Sequence, residues 1–483
     1  MSSSLARAVK AKAKSVYARI TLNRVTTAFF VFSFVHCFAQ GIIQSFLFSI
    51  DAEYGTILSS ITTIAGVPAA NITYLEGGSG HLHLRICNDI PHGQPNFPCS
   101  DIFRSEVDEN NFLNSDTRQA IALNHFKNGL VISPIRDSST SNKSAGVTLR
   151  SGSRTVQLSQ QCVQTLVYPE QIMHNSKRED LTFVLLQFWL LAISVIAIMH
   201  DSVPHTLAVL ITRGLLTVWS GYAIWRTTFI EGNLQELMFK SGTPCSINIF
   251  PSYFTTRISY EIPDLILNCT ALLIAGYLSW TLLQDYNAQS FKCVGAPKHI
   301  NRINKFFMAV LACLQLEAFV LTAAMGLWID VLMNTAIARI SAHTTIYQGL
   351  FILTIILLIP WITMGWYAIH RELKVWMGIF LGIALVILSA WSIMFYSIVY
   401  RWTFMQWPYL GCFTVASLVL IVASMILGIV CRMNFDKGLA QYLHAESVLA
   451  SSNFAPEVFP HDEEKGRMDL DMKASQEISV QYR

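Results

Sequence analysis

Residues 25–50 read VTTAFFVFSFVHCFAQGIIQSFLFSI. No Asp, Glu, Lys or Arg interrupts this run. A helix needs roughly 20 mostly apolar residues to cross the hydrocarbon core of a bilayer, where it satisfies its backbone polar groups internally because water is absent. Before the run stand Arg7, Lys10, Lys12, Lys14, Arg19 and Arg24. The basic leader, residues 1–24, and the apolar run are both longer than in a cleaved signal peptide. The segment therefore reads as a signal anchor whose leader stays on the cytoplasmic side, attracted by anionic lipid.

Seven further runs follow: Leu181 to Met199, His205 to Ile224, Ile262 to Leu283, Phe306 to Ile329, Tyr347 to Ile369, Val375 to Tyr400 and Tyr409 to Cys431. Composition agrees, with 52% hydrophobic and 13% charged residues among 483 and a mean hydropathy of +0.42, outside the balance of a soluble protein of this size. The net charge of +3 is small, and Lys and Arg gather at span ends, so nucleic acid is not an expected partner. The expected fold is an all-α polytopic membrane protein of about eight transmembrane helices, with a small extracellular α+β lobe between helices one and two. Its parts are the leader 1–24, helix one at 25–50, the lobe 51–180, a seven-helix bundle 181–431 and a largely disordered cytoplasmic tail 432–483.

Charge bias tests the count. Counting from a cytoplasmic leader, the inner segments Gln284 to Lys305 and His370 to Lys374 carry Lys292, Lys298, Arg302, Lys305, Arg371 and Lys374, whereas the outer loops after spans five and seven carry only Arg339 and Arg401. That is the positive-inside pattern, and it leaves both termini cytoplasmic. Trp225, Trp280, Trp328, Trp366, Trp376, Trp402 and Trp407 fall at span ends, where indoles favour the headgroup boundary, while Trp189, Trp219, Trp361 and Trp391 read as packing residues.

The sequons at Asn71 and Asn142 lie in the segment between spans one and two, which the topology places outside and open to glycosylation. Four cysteines, Cys87, Cys99, Cys162 and Cys245, fall outside, an even number in an oxidising compartment. They permit three pairings. Cys87 to Cys99 would close the Pro- and Gly-rich loop Pro91 to Pro98, leaving Cys162 to tie the lobe to Cys245 in the next outer loop. Within the lobe, the alternation from His81 to Ile86 predicts a strand, Val147 to Leu158 predicts a hairpin, and Asn114 to Asn128 predicts a helix. His81 and His83 share a strand face but lack an acidic or cysteine partner at ligand spacing, so no metal or cofactor is expected there.

Ionisable residues deep in a span are costly and therefore informative. Arg213 and Glu317 each sit near mid-span. They are expected to form an intramembrane charged pair, either as part of an ion or proton path or as a fixed bridge between two helices. His200 and His205 flank a turn beside Asp201, but one such box falls short of the several that a metal-dependent membrane enzyme uses, and no catalytic constellation stands out. Gly378 and Gly382 give span seven a small-residue face suited to a neighbouring helix or to a homo-oligomer. Pro360 predicts a kink in span six.

The segments Asp201-Ser202-Val203-Pro204-His205, Gly326-Leu327-Trp328-Ile329-Asp330, Ile359-Pro360-Trp361-Ile362-Thr363-Met364-Gly365-Trp366 and Asn434-Phe435-Asp436-Lys437-Gly438-Leu439 resemble a group of fungal, basidiomycete multi-pass membrane proteins that includes plasma-membrane virulence proteins of smut fungi. The resemblance covers roughly half the chain, from Leu181 to about Tyr442, and implies a surface protein at the growing hypha rather than an enzyme. The expected role is that of a receptor, scaffold or organiser whose lobe meets an extracellular protein or a host-derived ligand during colonisation, with membrane lipids as constant partners. The alternative is a transporter or channel working through Arg213 and Glu317.

Overall fold

The computed structural model describes residues 16–437, except 79, 92–97, 106–129, 137–143, 152–153, 241–242, 246, 251, 291–297 and 342–343. The described chain is mostly helical, and among the described residues eight helices are long and apolar enough to cross a membrane. They are α1 (Arg24–Ile64), α2 (Gln160–Met199), α3 (Val203–Leu234), α4 (Tyr253–Ser290), α5 (Lys298–Asn334), α6 (Thr344–His370), α7 (Lys374–Met394) and α8 (Pro408–Met433). A π-helical turn, Gln235–Phe239, prolongs α3, and the short helix Ile398–Gln406 links α7 to α8.

Local chemistry sets several of the boundaries. Asn23 caps α1 by accepting a hydrogen bond from the Val25 amide, while the Thr26 hydroxyl accepts from the Asn23 amide, a reciprocal capping box. Ser159 caps α2 through the amide of Cys162, which fixes that cysteine in the first helical turn. The first two helices overrun the spans read from hydropathy. α1 continues to Ile64 and α2 begins at Gln160, because Tyr54, Leu58 and Ile61 of α1 and Val163, Leu166 and Met173 of α2 have the lobe to bury against.

The described part of the lobe consists of two antiparallel three-stranded sheets. One orders β1 (Ile72–Glu76), β2 (His83–Cys87) and β3 (Cys99–Arg104); the other orders β4 (Val131–Arg136), β5 (Ser144–Ser151) and β6 (Arg154–Ser159). Alternation works as expected in the hairpin: Val147 pairs with Leu158 and Leu149 with Val156, and all four are buried. The helix expected over Asn114 to Asn128 lies outside the described residues, as do Asn142 and the tail beyond residue 437. Cys87 faces Cys99 across β2 and β3, and the two form a disulfide; Cys162 and Cys245 form a second.

The described part of the lobe shares its core with the helices. Leu84, Ile86, Phe103, Val147 and Leu158 from the sheets pack in one cluster with the helix ends named above, with Leu237 and Met238, and with Ile249, Phe250 and Tyr253 of the α3–α4 connection. At the same end, Tyr74 of β1 meets Trp402 of the α7–α8 link edge to face at 5.0 Å, and Ile340 after α5 packs on the same patch. The opposite end holds exposed ion pairs: Arg19 with Asp201 at 2.7 Å, and Lys374 with Asp436 at 2.5 Å. The segments read as outer thus gather at one end, and the basic segments that are described gather at the other.

Two of the tryptophans read as boundary residues are interior ones. Trp328 is buried, stacks on Tyr400 at 4.1 Å and donates to the Thr414 hydroxyl at 3.2 Å; Trp407 is buried and donates to Glu179 at 2.7 Å. Position along a helix was read correctly, but each faces a polar partner inside the bundle rather than the surface. Trp225, Trp280, Trp366 and Trp376 are exposed. On the small-residue face of α7, a Cβ at Gly378 would lie 3.1 Å from Nη1 of Arg432 on α8, whereas Gly382 is open. The Gly378 half is therefore already covered within the chain.

Gly146 has φ +150°, and a Cβ there would lie 2.1 Å from the Leu158 carbonyl oxygen. Gly146→Ala is expected to destabilise the lobe by about 1–3 kcal/mol, read as a lower Tm and faster proteolysis of the purified protein. Gly232→Ala on α3, where nothing lies within 4 Å, should be neutral or slightly stabilising.

Candidate functional site

The charged residues that end the apolar runs do not point to the surface. On α1, Gln40, Gln44 and Asp51 recur at helical spacing along one buried face. On α4, Arg257, Glu261, Asp264 and Asn268 form a second buried stripe at steps of four, three and four. α2 contributes Glu179 and Asp180, and α3 contributes Ser220, Arg226 and Thr227. The four stripes meet where α1–α4 run into the lobe.

Arg257 is the centre of the junction. Its Nη1 donates to Asp51 and its Nε donates to Glu261 at 2.9 Å, while Nη2 lies 3.7 Å from Asp180. Asp51 is fully buried and also accepts from the Tyr253 hydroxyl at 2.8 Å. Beside it, Arg226 grips Glu179 with two parallel bonds of 2.9 and 2.7 Å, the geometry that suits a guanidinium to a carboxylate. The indole of Trp407 completes the same carboxylate.

One turn deeper, Asp264 has no cation. Its Oδ1 accepts from the side-chain amides of Gln40 and Gln44, the latter at 2.7 Å; its Oδ2 accepts from Ser220 at 2.6 Å and Asn268 at 3.1 Å. A cavity of about 30 Å³ opens between these groups, room for about two water molecules. Gln40, Gln44, Glu179, Asp180, Gln187, Glu261 and Asp264 line it together with Arg226 and Arg257, with Leu47, Phe183 and Trp219 as apolar wall. The site combines a rigid, doubly paired rim with a small pocket lined by carboxylates, amides and both guanidiniums.

The expected pair of Arg213 and Glu317 is absent. Arg213 on α3 turns toward α1, donating to Nδ1 of His36 at 3.1 Å and lying 5.0 Å over the ring of Phe32. Glu317 on α5 is fully buried, and neither carboxyl oxygen has a hydrogen-bond partner. Both residues lie within the helices expected to hold them. Depth does not specify azimuth, and a histidine one helix away supplied an acceptor that the hydropathy reading had no means to place.

The remaining candidates stay apart from the junction. Nδ1 of His205 is 2.7 Å from the Ser202 hydroxyl, a local turn contact. His83 pairs with Asp101 at 2.8 Å, and Arg85 bridges Asp101 and Glu76. Asn71 is half-buried at the start of β1, its carbonyl accepting from Gln171. Near it, Thr62 of α1 donates to Glu170 of α2 at 2.9 Å; burial raises the Glu170 carboxyl above its ordinary value, and the hydroxyls of Thr62 and Ser59 oppose that rise.

Removing one member of a buried charge network strands the others. Arg257→Leu is expected to cost about 3–5 kcal/mol in stability, whereas Arg19→Leu, which breaks an exposed pair with Asp201, should cost less than about 1 kcal/mol. Thermal unfolding of the protein in lipid nanodiscs measures both. Comparisons with protein-family models, curated proteins and solved structures find no match for this chain, so the function must be argued from the geometry itself.

Proposed function

We propose that the chain is a plasma-membrane protein of eight spans with both ends cytoplasmic, and that it acts as a surface receptor, scaffold or organiser through its lobe. The observation that carries this reading is the single core shared by the two sheets and the ends of α1–α4, closed by the bridge from Cys162 to Cys245. A lobe tied on by linkers would move independently of the helices. This one is built onto them, directly above the buried junction of Arg257, so an occupant of the lobe bears on the bundle.

Surface chemistry supports membrane insertion. The outward faces of the helices carry Phe34, Phe38, Ile42, Leu185, Phe188, Leu215, Val218, Leu273, Ile356 and Ile359, while the interior carries the carboxylates and guanidiniums. Water would favour the opposite arrangement, and apolar surface on this scale calls for lipid cover. Two disulfides at the lobe end and basic segments at the other support an external lobe. A role in host colonisation rests on the resemblance to the fungal group described above. The transport alternative, framed around Arg213 and Glu317 acting together, gains nothing from their separation.

Two experiments test the reading. With a protease-accessible tag on each terminus, intact cells should protect both tags, and Asn71→Gln and Asn142→Gln should each remove one glycosidase-sensitive mobility step. Replacing residues 72–158 with a short Gly/Ser segment keeps the paired stem of α1 and α2. That variant should reach the surface and fail in colonisation; surface delivery with normal colonisation would overturn the proposal.

A further inference from the structure

At the end of the bundle away from the lobe, the turn between α6 and α7 is fastened to the residues that follow α8. The Asp436 amide donates to Glu372 at 3.2 Å, and Lys374 pairs with Asp436 at 2.5 Å. The neighbouring Phe435 is buried and meets Phe307 of α5 at 5.8 Å, which brings the start of α5 to the same place. Glu372 and Asp436 both hold left-handed backbone, at φ +49° and +66°, a conformation that costs a non-glycine residue energy and persists where its surroundings enforce it. The acids here are committed to holding the turns.

The cations are in surplus. Arg371 and Arg432 are exposed and make no ion pair among the described residues. Arg432 lies along α7, with Nη1 3.1 Å from the point a Cβ of Gly378 would occupy, one turn beyond Lys374. Any side chain at 378 would displace it. Arg371 adjoins Glu372 in the turn, its guanidinium 5.9 Å from the centre of the Tyr367 ring. On α5, Arg302 and Lys305 are exposed as well and add to the same field. The other half of this end is matched differently, for Arg19 there has Asp201.

A second observation sets an apolar wall beside this charge. Val375, Trp376 and Ile379 are 73%, 46% and 45% exposed, and they adjoin Lys374 and Gly378 on α7. A soluble anion gains nothing from such a wall, whereas a lipid covers it with its acyl chains.

We propose that this face binds a phosphoinositide, its clustered phosphates against Arg371, Lys374 and Arg432 and its acyl chains along α7. Guanidiniums hold phosphate oxygens in pairs, and basic groups between membrane helices suit inositol-phosphate headgroups. A singly charged headgroup would leave most of the surplus unmatched. The assignment to the cytoplasmic leaflet rests on the topology proposed above; the binding chemistry does not.

The test places the full chain in phosphatidylcholine nanodiscs that carry either a bisphosphorylated phosphatidylinositol or phosphatidylserine at matched charge, and reads retained lipid by native mass spectrometry. The inositol lipid should be retained saturably and in preference to phosphatidylserine. Arg371→Gln combined with Arg432→Gln should weaken its retention roughly thirtyfold. Gly378→Leu, which moves the Arg432 guanidinium without changing charge, should weaken it severalfold. Arg19→Gln combined with Arg24→Gln removes as much charge from the other half and should leave retention at the wild-type level. Equal retention of the two lipids, or equal loss in the two double variants, would mean that only a diffuse surface field acts and would overturn the proposal. Soluble inositol trisphosphate binding as tightly as the lipid would overturn it too. Should Gly378→Leu fail to fold, the comparison of the double variants decides. Terminal tags accessible from outside the cell would change the leaflet and leave these results as they are.

Discussion

The guanidinium of Arg257 lies between carboxylates from α1, α2 and α4, and the lobe end of the bundle is organised around it. Charge this deeply buried costs several kcal/mol per ion to desolvate and is recovered only through close geometry. The geometry here is close: Tyr253 and Arg257 share Asp51, Thr227 and Arg257 share Glu261, and Arg226 holds Glu179 from two sides. Such a network adds little net stability compared with an apolar core of equal volume. It does specify which helix faces which, because a rotation of any of the four would leave a bare charge inside. The register of α1–α4, and with it the seat of the lobe, follows from that penalty.

Hydropathy and charge bias made much of this architecture legible. The eight apolar runs correspond to the eight long helices, the strand alternation of Val147 to Leu158 corresponds to a buried hairpin, and the segments assigned to one side of the membrane do gather at one end. The limits of α1 and α2 were not legible, because the residues that extend them are amphipathic and owe their helicity to the sheets lying against them. Hydropathy registers the solvent that a residue prefers; it has no means of registering a neighbour brought back by nearly a hundred residues of intervening chain.

The junction escaped the sequence reading for a related reason. Asp51, Asp180, Arg226 and Glu261 stand at or just beyond the ends of apolar runs, where charged residues ordinarily mark the water boundary, and they passed for flanking charges. The available signal was periodicity rather than composition: Gln40, Gln44 and Asp51 on one helix, and Arg257, Glu261, Asp264 and Asn268 on another, each keep to one face. Arg213 and Glu317 drew attention by their depth, yet Arg213 settles against a single histidine and an aromatic ring, and Glu317 stands apart on α5. In this bundle isolation marks the ordinary residue, and the organised chemistry lies where charges of both signs recur at helical steps.

The separation of Asp51 from Arg257 along the chain, 206 residues, has a consequence for biosynthesis. The carboxylate emerges from the ribosome long before its cation; at roughly 5–20 residues per second the interval is on the order of 10–40 s. During that time α1, the strands, α2 and α3 are already made, and every acid of the junction except Glu261 and Asp264 is present without Arg257. The four-helix junction therefore has no closed form until α4 arrives. Until then Glu179 can pair with Arg226 of α3, but Asp51 and Asp180 have no guanidinium, and the arrival of α4 is the event that closes the junction.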